Sequence, residues 1–215
     1  MKTVILLLLL LISISSYTTK HRIWGIDISH HQKDIKWKEF KTPYNKPHFI
    51  FLKATEGVSH KDDKYKEYKK KTEALNITTG AYHFFKYSCS GKEQAIEFLK
   101  FSNLHKGNLL PVLDAEYQKR MPNKYKVTKE LLSFIAEIKK QTGKYPIIYC
   151  EEDFYNKYLK NTKEGSKCSL WICNFYYQPF CNYTLWQKTD KFHHPAFKGR
   201  VDYNVLKSNK NLPIL

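Results

Sequence analysis

Eight short apolar runs recur along the chain, and amphipathic stretches separate several of them. Short apolar runs bounded by polar or turn-forming residues are typical of buried strands, whereas apolar residues three and four positions apart indicate helices that bury one face. The pattern predicts strands over residues 23–28, 49–54, 79–85, 109–113, 147–150, 170–173, 184–187 and 201–203. It predicts helices over residues 62–75, 90–104, 128–141 and 151–159.

The order of these elements indicates the fold class. Strands that alternate with helices imply parallel pairing through right-handed crossovers, and eight strands suit a closed barrel. Only four connections are amphipathic enough for helices, and the last three strands follow one another across short connections. Ser90 with Glu93 predicts a capping box on the second helix, while Gly143 and Pro146 predict the end of the third. The sequence therefore predicts an α/β fold, an irregular, flattened TIM-like barrel with about eight strands and fewer than eight helices.

Three of the predicted strands carry a carboxylate among apolar neighbours. The run PVLDAE contributes Asp114 and Glu116, IWGIDIS contributes Asp27, and RVDYNVL contributes Asp202. Residues i and i+2 of an extended strand point to the same side, so Asp114 and Glu116 are expected to share one face. Charged residues are rare in buried strands unless they are paired or functional, which favours convergence of the four acids on one site.

Neighbouring carboxyls have a specific chemical use. Two of them a few ångströms apart cannot both ionise cheaply, so one tends to hold its proton near neutral pH and can act as a general acid. Acetal cleavage requires such a pair. The alternative is that Asp114 and Glu116 simply meet solvent at a strand end, and their own positions leave that alternative open.

Aromatic and amide side chains near the predicted strand ends are candidates for binding a sugar. Pyranose rings need flat apolar faces with polar groups beside them. Tyr82, Tyr149, Trp171 and Gln187 fit that description. Aromatic residues in strands are nevertheless more often part of a core than of a ligand site.

The chain length and the N-terminal segment indicate how the protein is divided into a leader and a domain. The 215 residues are enough for one sizeable domain, expected over residues 20–215. Residues 1–19 place a lysine before an apolar run that ends in small serines, which predicts a secretory signal peptide. We therefore expect a protein that is secreted or held in secretory or phagocytic vesicles. No other segment reaches membrane length, so no membrane anchor is expected.

The secretory route changes the expectation for cysteines and asparagines. Five cysteines in an oxidising compartment are expected to form about two disulfides and to leave one thiol, although their spacing does not give the pairing. The sequons at Asn76 and Asn182 are expected at the surface, where they could be glycosylated.

The chain is strongly basic, with 37 Lys plus Arg against 20 Asp plus Glu and a formal charge of +17. Such a surface attracts polyanions, among them nucleic acid, anionic lipid and the carboxylates of bacterial walls, or it is merely a solubilising coat. No nucleic-acid-binding motif is present, so nucleic acid is not an expected partner. The nine histidines show no metal-ligand spacing, and no phosphate-binding glycine loop occurs, so no metal or other cofactor is expected.

Seven motifs, in order, resemble the glycoside hydrolase family 25 lysozymes, which are N-acetylmuramidases. The resemblance covers nearly the whole chain after the leader. The motifs are GIDISHHQ at residues 25–32, FLKATEG at 51–57, GAYHFF at 80–85, PVLDAE at 111–116, LWICNF at 170–175, LWQ at 185–187 and VDYNVL at 201–206.

The resemblance implies an irregular α/β barrel that hydrolyses the β-1,4 bond between N-acetylmuramic acid and N-acetylglucosamine in peptidoglycan. It implies that Asp27, Asp114, Glu116 and Asp202 are the active-site acids, with Glu116 as the proton donor, and that the substrate is bacterial peptidoglycan. We expect the protein to be a monomer. The residues after the tryptophan of LWICNF depart from the family pattern, as do the cysteines and the lysine content. A catalytically weak peptidoglycan-binding protein and a chitinase-like enzyme remain the alternatives.

Overall fold

The computed structural model describes residues 22–215, and the predicted signal peptide lies outside the described residues. Nine strands and four α-helices form in this part of the chain. The strands are β1 (Trp24–Ile28), β2 (Phe49–Glu56), β3 (His60–Lys61), β4 (Thr78–Phe84), β5 (Val112–Asp114), β6 (Ile147–Glu151), β7 (Ser169–Cys173), β8 (Leu185–His193) and β9 (Arg200–Leu206). The helices are α1 (Tyr65–Ala74), α2 (Gly91–Ser102), α3 (Lys124–Thr142) and α4 (Glu152–Tyr158).

Eight of the strands close into a barrel in the order β1-β9-β8-β7-β6-β5-β4-β2. The parallel pairing of β1 with β2, in which Gly25 lies opposite Phe49, completes the ring. The short β3 adds to β2 as an antiparallel partner outside it. The irregular α/β barrel with fewer helices than strands is thereby confirmed.

The pairing at one side of the barrel differs from the all-parallel expectation. β9 runs antiparallel to both of its neighbours, β8 and β1. The connection between β8 and β9 is too short for a helical crossover, so the chain turns straight back. The first strand, β1, and the last strand, β9, thus pair with each other.

Ser90 and Gly143 lie at helix ends as expected, and of the predicted capping box the structure shows the Ser90 half. The Ser90 hydroxyl accepts a hydrogen bond from the backbone N–H of Glu93 at 3.4 Å at the start of α2. The third helix begins earlier than predicted, because the Asn123 side chain caps it by accepting from the N–H of Lys126 at 2.9 Å. Gly143 ends that helix with a φ of 73°, a left-handed conformation that glycine adopts without strain.

Two separate hydrophobic cores result from the barrel. The larger one lies between the outer face of the sheet and the helices, and includes Phe98 of α2 and Phe134 of α3. The smaller one fills the barrel interior, where Phe51 stacks on Trp171 with ring centroids 4.6 Å apart. Burial of these side chains is the main favourable contribution to folding.

Two glycines make room for the rings of β2 inside the barrel. A Cβ on Gly25 would lie 2.4 Å from the ring of Phe49, and a Cβ on Gly80 would lie 2.6 Å from the ring of Phe51. The glycines of β1 and β4 therefore flank β2 because only a residue without a side chain leaves space for phenylalanines at these positions.

The expected disulfides are absent, since all five cysteines are unpaired in the structure. Cys150 and Cys173 lie on neighbouring strands, but Cys150 pairs in register with Ile172, so the two thiols alternate to opposite faces of the sheet. Cys168 uses its thiol to donate to the carbonyl of Glu164 at 3.4 Å.

Both sequon asparagines, Asn76 and Asn182, are exposed. No helix within residues 22–215 is long and apolar enough to cross a membrane.

Candidate active site

The residues that point into the barrel change from apolar to polar along the strands. On β2 the inward series runs Phe49, Phe51, Lys53, and other strands show the same change. The polar end of the barrel opens into a cleft of about 280 Å³. All eight predicted site residues line this one cleft: Asp27, Tyr82, Asp114, Glu116, Tyr149, Trp171, Gln187 and Asp202. Three residues that the sequence did not single out, Lys53, Phe84 and Phe175, line it as well.

Asp27 is held at the cleft by two amide side chains. Its Oδ2 accepts hydrogen bonds from Asn204 Nδ2 at 2.7 Å and from Gln187 Nε2 at 3.1 Å. Burial raises its pKa from 3.8 to about 6, although the two amide donors act in the opposite direction. Trp171 Nε1 donates to Asn204 Oδ1 and Tyr149 OH donates to Gln187 Oε1, each at 2.8 Å. A continuous hydrogen-bond chain therefore fixes the orientation of the Asp27 carboxyl.

Asp114 and Glu116 form the carboxyl pair that the sequence predicted. β5 ends at Asp114, and both side chains reach the same cleft. Burial and then the charge of Glu116 raise the pKa of Asp114 well above its usual value. Burial also raises the pKa of Glu116, against the opposing effects of Asp114 and Lys53. Because the two carboxyls interact strongly, they titrate together, and the proton that they hold is shared between Asp114 and Glu116.

The two members of the pair differ in access to solvent and in hydrogen bonding. Asp114 is 6% exposed, whereas Glu116 is partly exposed at the open side of the cleft. Asp114 Oδ1 is buried and has no hydrogen-bond partner among the described residues. A buried acceptor without a hydrogen bond costs free energy. Asp114 Oδ1 is therefore suited to accept a hydrogen bond from a donor group of a bound ligand.

Asp202 reaches the cleft by a route that the sequence did not indicate. It was expected near the carboxyl end of a parallel strand, but it lies near the start of antiparallel β9, directly opposite Asp27 in register. Reversing the strand brings its first residues to the rim where the parallel strands end. Burial and then the charge of Asp27 raise the pKa of Asp202 from 3.8 to about 8.

The raised pKa of Asp202 predicts a pH-dependent stability. Below about pH 4 both the folded and the unfolded chain carry a protonated Asp202. Between about pH 4 and pH 8 only the unfolded chain loses the proton, so the stability of the fold decreases as pH rises. We therefore expect Asp202→Asn to raise the melting temperature at pH 8 and to change it little at pH 4. Calorimetry of both proteins across this range measures the effect.

Asp63→Asn is the matched control, because Asp63 is exposed and lies outside the cleft. It removes one carboxylate, as Asp202→Asn does. The change in melting temperature between pH 4 and pH 8 should therefore be the same in Asp63→Asn as in the wild type. A melting temperature of Asp202→Asn that tracks the wild type at every pH would contradict the assigned environment of Asp202.

Lys53 is the main polar residue of the cleft that the sequence analysis missed. Its Nζ donates to Glu56 Oε2 at 2.7 Å, and Lys86 Nζ lies 2.8 Å from Glu56 Oε1. Burial of Glu56 opposes its ionisation, but the two lysines outweigh this and lower its pKa to about 2. The sequence could have indicated Lys53, because it follows Phe49 and Phe51 at intervals of two residues on β2. Side chains at this spacing point to the same face of a strand, here the barrel interior.

The aromatic residues divide between the floor and the walls of the cleft. Trp171 is 2% exposed and packs between Phe51 and Tyr149, so it forms the floor. Phe175 is 44% exposed and offers an open ring at the rim. The sequence reasoning singled out Trp171 and missed Phe175, which lies beyond the end of β7.

The arrangement is suited to acid catalysis on a polar, ring-shaped ligand. It combines four acids, one cation and several aromatic rings in a cleft whose walls raise the pKa values of the carboxyls. Within residues 22–215, no group of three or more His, Cys, Asp or Glu side chains is placed to hold a metal ion.

Comparison with known proteins agrees with this geometry. The model of a family described as Glycosyl hydrolases family 25 matches residues 26–197. The chain is 27% identical over 198 residues to Lysozyme M1 of Streptomyces globisporus, covering 85% of this chain and 67% of that protein. It is 27% identical over 188 residues to the N,O-diacetylmuramidase of Arthroderma benhamiae, covering 79% and 78%. A family 25 glycosyl hydrolase structure from Bacillus anthracis is similar at a TM-score of 0.79 and 29% identity, covering 90% of this chain and 93% of that one.

Proposed function

Because the chain belongs to the glycosyl hydrolases family 25 and is therefore a glycoside hydrolase, we propose that it acts on the glycan of bacterial peptidoglycan. The bond that it cleaves is the β-1,4 bond between N-acetylmuramic acid and N-acetylglucosamine. Similarity to a lysozyme and to a muramidase supports this substrate. The observation that carries the proposal is the meeting of four acids from distant parts of the chain, Asp27, Asp114, Glu116 and Asp202, at one cleft.

Glu116 is the proton donor in this proposal. It is the more accessible member of the carboxyl pair, so a glycosidic oxygen in the cleft can reach it. Its raised pKa keeps a proton available at a higher pH than a free glutamic acid would. Protonation of the leaving oxygen by Glu116 lowers the barrier to breaking the glycosidic bond.

Asp114 acts on the substrate's 2-acetamido group. The unpartnered Asp114 Oδ1 can accept a hydrogen bond from the acetamido N–H. That bond favours the ionised form of Asp114, so the proton shared by the pair moves to Glu116. The acetamido carbonyl oxygen then attacks the anomeric carbon while Glu116 protonates the departing oxygen. Substrate binding thus prepares the acid and the nucleophile together.

Asp27 and Asp202 support the pair in this proposal. They lie opposite each other at the cleft, and the charge of Asp27 contributes to the raised pKa of Asp114, after burial and the charge of Glu116. In this proposal both also hold sugar hydroxyls. The alternative mechanism uses a carboxylate, Asp114 or Asp202, as the nucleophile, and leaves Glu116 as the acid.

Product analysis tests the proposed bond specificity. Digestion of purified peptidoglycan should release fragments with N-acetylmuramic acid at the new reducing end, identified by reduction with borohydride and mass spectrometry. Glucosamine reducing ends would show cleavage of the opposite bond, and preferential release of soluble products from chitin would favour a chitinase. Binding to walls without new reducing ends would indicate the catalytically weak binding protein.

The cellular setting of the proposed activity rests on the leader over residues 1–19. Export would bring the enzyme to bacterial walls outside the cell or inside phagocytic vesicles. The exposed sequons at Asn76 and Asn182 are accessible to glycosylation on that route.

A further inference from the structure

A second groove opens beside the active-site cleft and shares Phe84 with it. It has a volume of about 830 Å³. We call it the basic groove, because its lining includes Lys86, Lys119, Arg120 and Lys126 and no acidic residue. A ligand that follows the cleft past Phe84 therefore enters a region of positive charge.

Three of the four cations are not neutralised. Lys86 is engaged with Glu56 at 2.8 Å. Lys119, Arg120 and Lys126 form no ion pair among residues 22–215. Uncompensated charges in a concave surface concentrate the electrostatic potential and attract anionic groups.

The loop that carries two of the groove cations begins directly after Glu116. Lys119 and Arg120 follow Glu116 by three and four residues. Tyr87 OH donates to the carbonyl of Glu116 at 3.0 Å, and the side-chain amide of Gln118 donates to the carbonyl of Phe85. These two contacts anchor the start of the loop that carries Lys119 and Arg120, so the loop stays beside Glu116.

A second region that adjoins the cleft carries the opposite charge. A neighbouring surface depression beyond Phe175 is lined by Glu151, Glu152 and Asp153 together with exposed aromatic rings. The cleft is thus polarised, with cations beyond Phe84 and carboxylates beyond Phe175. Negative groups of a ligand are therefore favoured beyond Phe84 over the depression beyond Phe175.

We propose that the basic groove binds the carboxylates of the peptide stem carried by the muramic acid residue next to the scissile bond. The inference rests on the proposed function. The sugar backbone of peptidoglycan is uncharged where its lactyl groups are amide-linked to stems, so the stems supply the carboxylates nearest to the bond. Lys119 and Arg120 supply the binding charges, and the groove has room for several peptide residues.

The variant Lys119→Gln/Arg120→Gln tests the proposal on two soluble, uncrosslinked, teichoic-acid-free glycan strands. One strand carries native stems, and the other carries stems whose carboxylates have been converted to amides. We expect the variant to raise KM on the native strand by about two- to thirtyfold, as for the loss of two exposed ion pairs. Its KM on the amidated strand and its kcat on both strands should equal those of the wild type.

Lys70→Gln/Lys71→Gln is the matched control, because these exposed lysines of α1 lie outside the groove and their loss changes the net charge equally. It should leave both KM values unchanged. An equal effect of the groove variant on both strands, or an effect seen only when teichoic acid is retained, would overturn the stem-peptide assignment. Failure of the wild type to cleave either strand would instead refute the proposed function, and this inference with it.

Discussion

Glu116→Gln is expected to lower the rate of peptidoglycan cleavage by about a hundredfold to ten-thousandfold, which is the contribution of general acid catalysis. Glutamine has nearly the same shape as glutamic acid and cannot transfer a proton to the glycosidic oxygen. The release of reducing ends from purified walls measures the loss. Circular dichroism and thermal melting check that the barrel is intact.

Glu151→Gln is the matched control for this loss of activity. Glu151 lies in a depression adjoining the cleft, which Glu116 also lines, but its side chain is exposed and lies outside the cleft itself. Its replacement removes a nearby negative charge without removing the proposed donor, so activity should change by no more than a fewfold. Wild-type activity in Glu116→Gln would mean that another group protonates the leaving oxygen, and the assignment would fall.

Much of the site was predictable because the barrel obeys a simple alternation. A strand buried on both faces should be apolar throughout, so Asp27 and Asp114 stand out as exceptions in their runs. Each points inward at the end of the barrel where parallel strands finish, which is where barrel enzymes place their chemistry. The alternation of residues in the sequence is thus enough to indicate that Asp27 and Asp114 share one site.

The direction of the last strand could not be predicted from its residues. A strand of seven residues carries no local signal that distinguishes parallel from antiparallel pairing, and only the short connection from β8 hinted at a reversal. Asp202 therefore reached the expected site from the opposite end of its strand. Asn204, which holds Asp27, was also missed, although it lies two residues after Asp202 on the same inward face whichever way the strand runs.

Pairing of cysteines was not predictable because it depends on the direction of each Cβ. Cys150 contributes to the core outside the barrel, while Cys173 lines a depression beside the active site. Neighbouring strands bring the two backbones close, but register sends the side chains apart. The prediction of a secretory route therefore led to an overestimate of the number of disulfides in the described residues.

The second large effect is expected for Asp114→Asn, which should lower the rate of cleavage by about a hundredfold to a thousandfold, as when one transition-state contact is lost. In the proposed mechanism, the acetamido nitrogen becomes positively charged as its carbonyl oxygen attacks the anomeric carbon. Asparagine lacks the negative charge that stabilises this intermediate. Because burial already raises the pKa of Asp114, the neutral substitute should not lower the melting temperature at neutral pH.

Substrates with altered acetamido groups identify the nucleophile. A trifluoroacetamido substrate has a less nucleophilic carbonyl oxygen, so the wild type should cleave it far more slowly than the acetamido substrate. In Asp114→Asn the difference between the two substrates should shrink, because attack by the acetamido group is already impaired. Equal wild-type rates on both substrates, together with a covalent sugar adduct on Asp114 or Asp202 detected by mass spectrometry, would establish the carboxylate nucleophile instead. Glu116 would remain the proton donor in that case, since both routes require an acid at the departing oxygen.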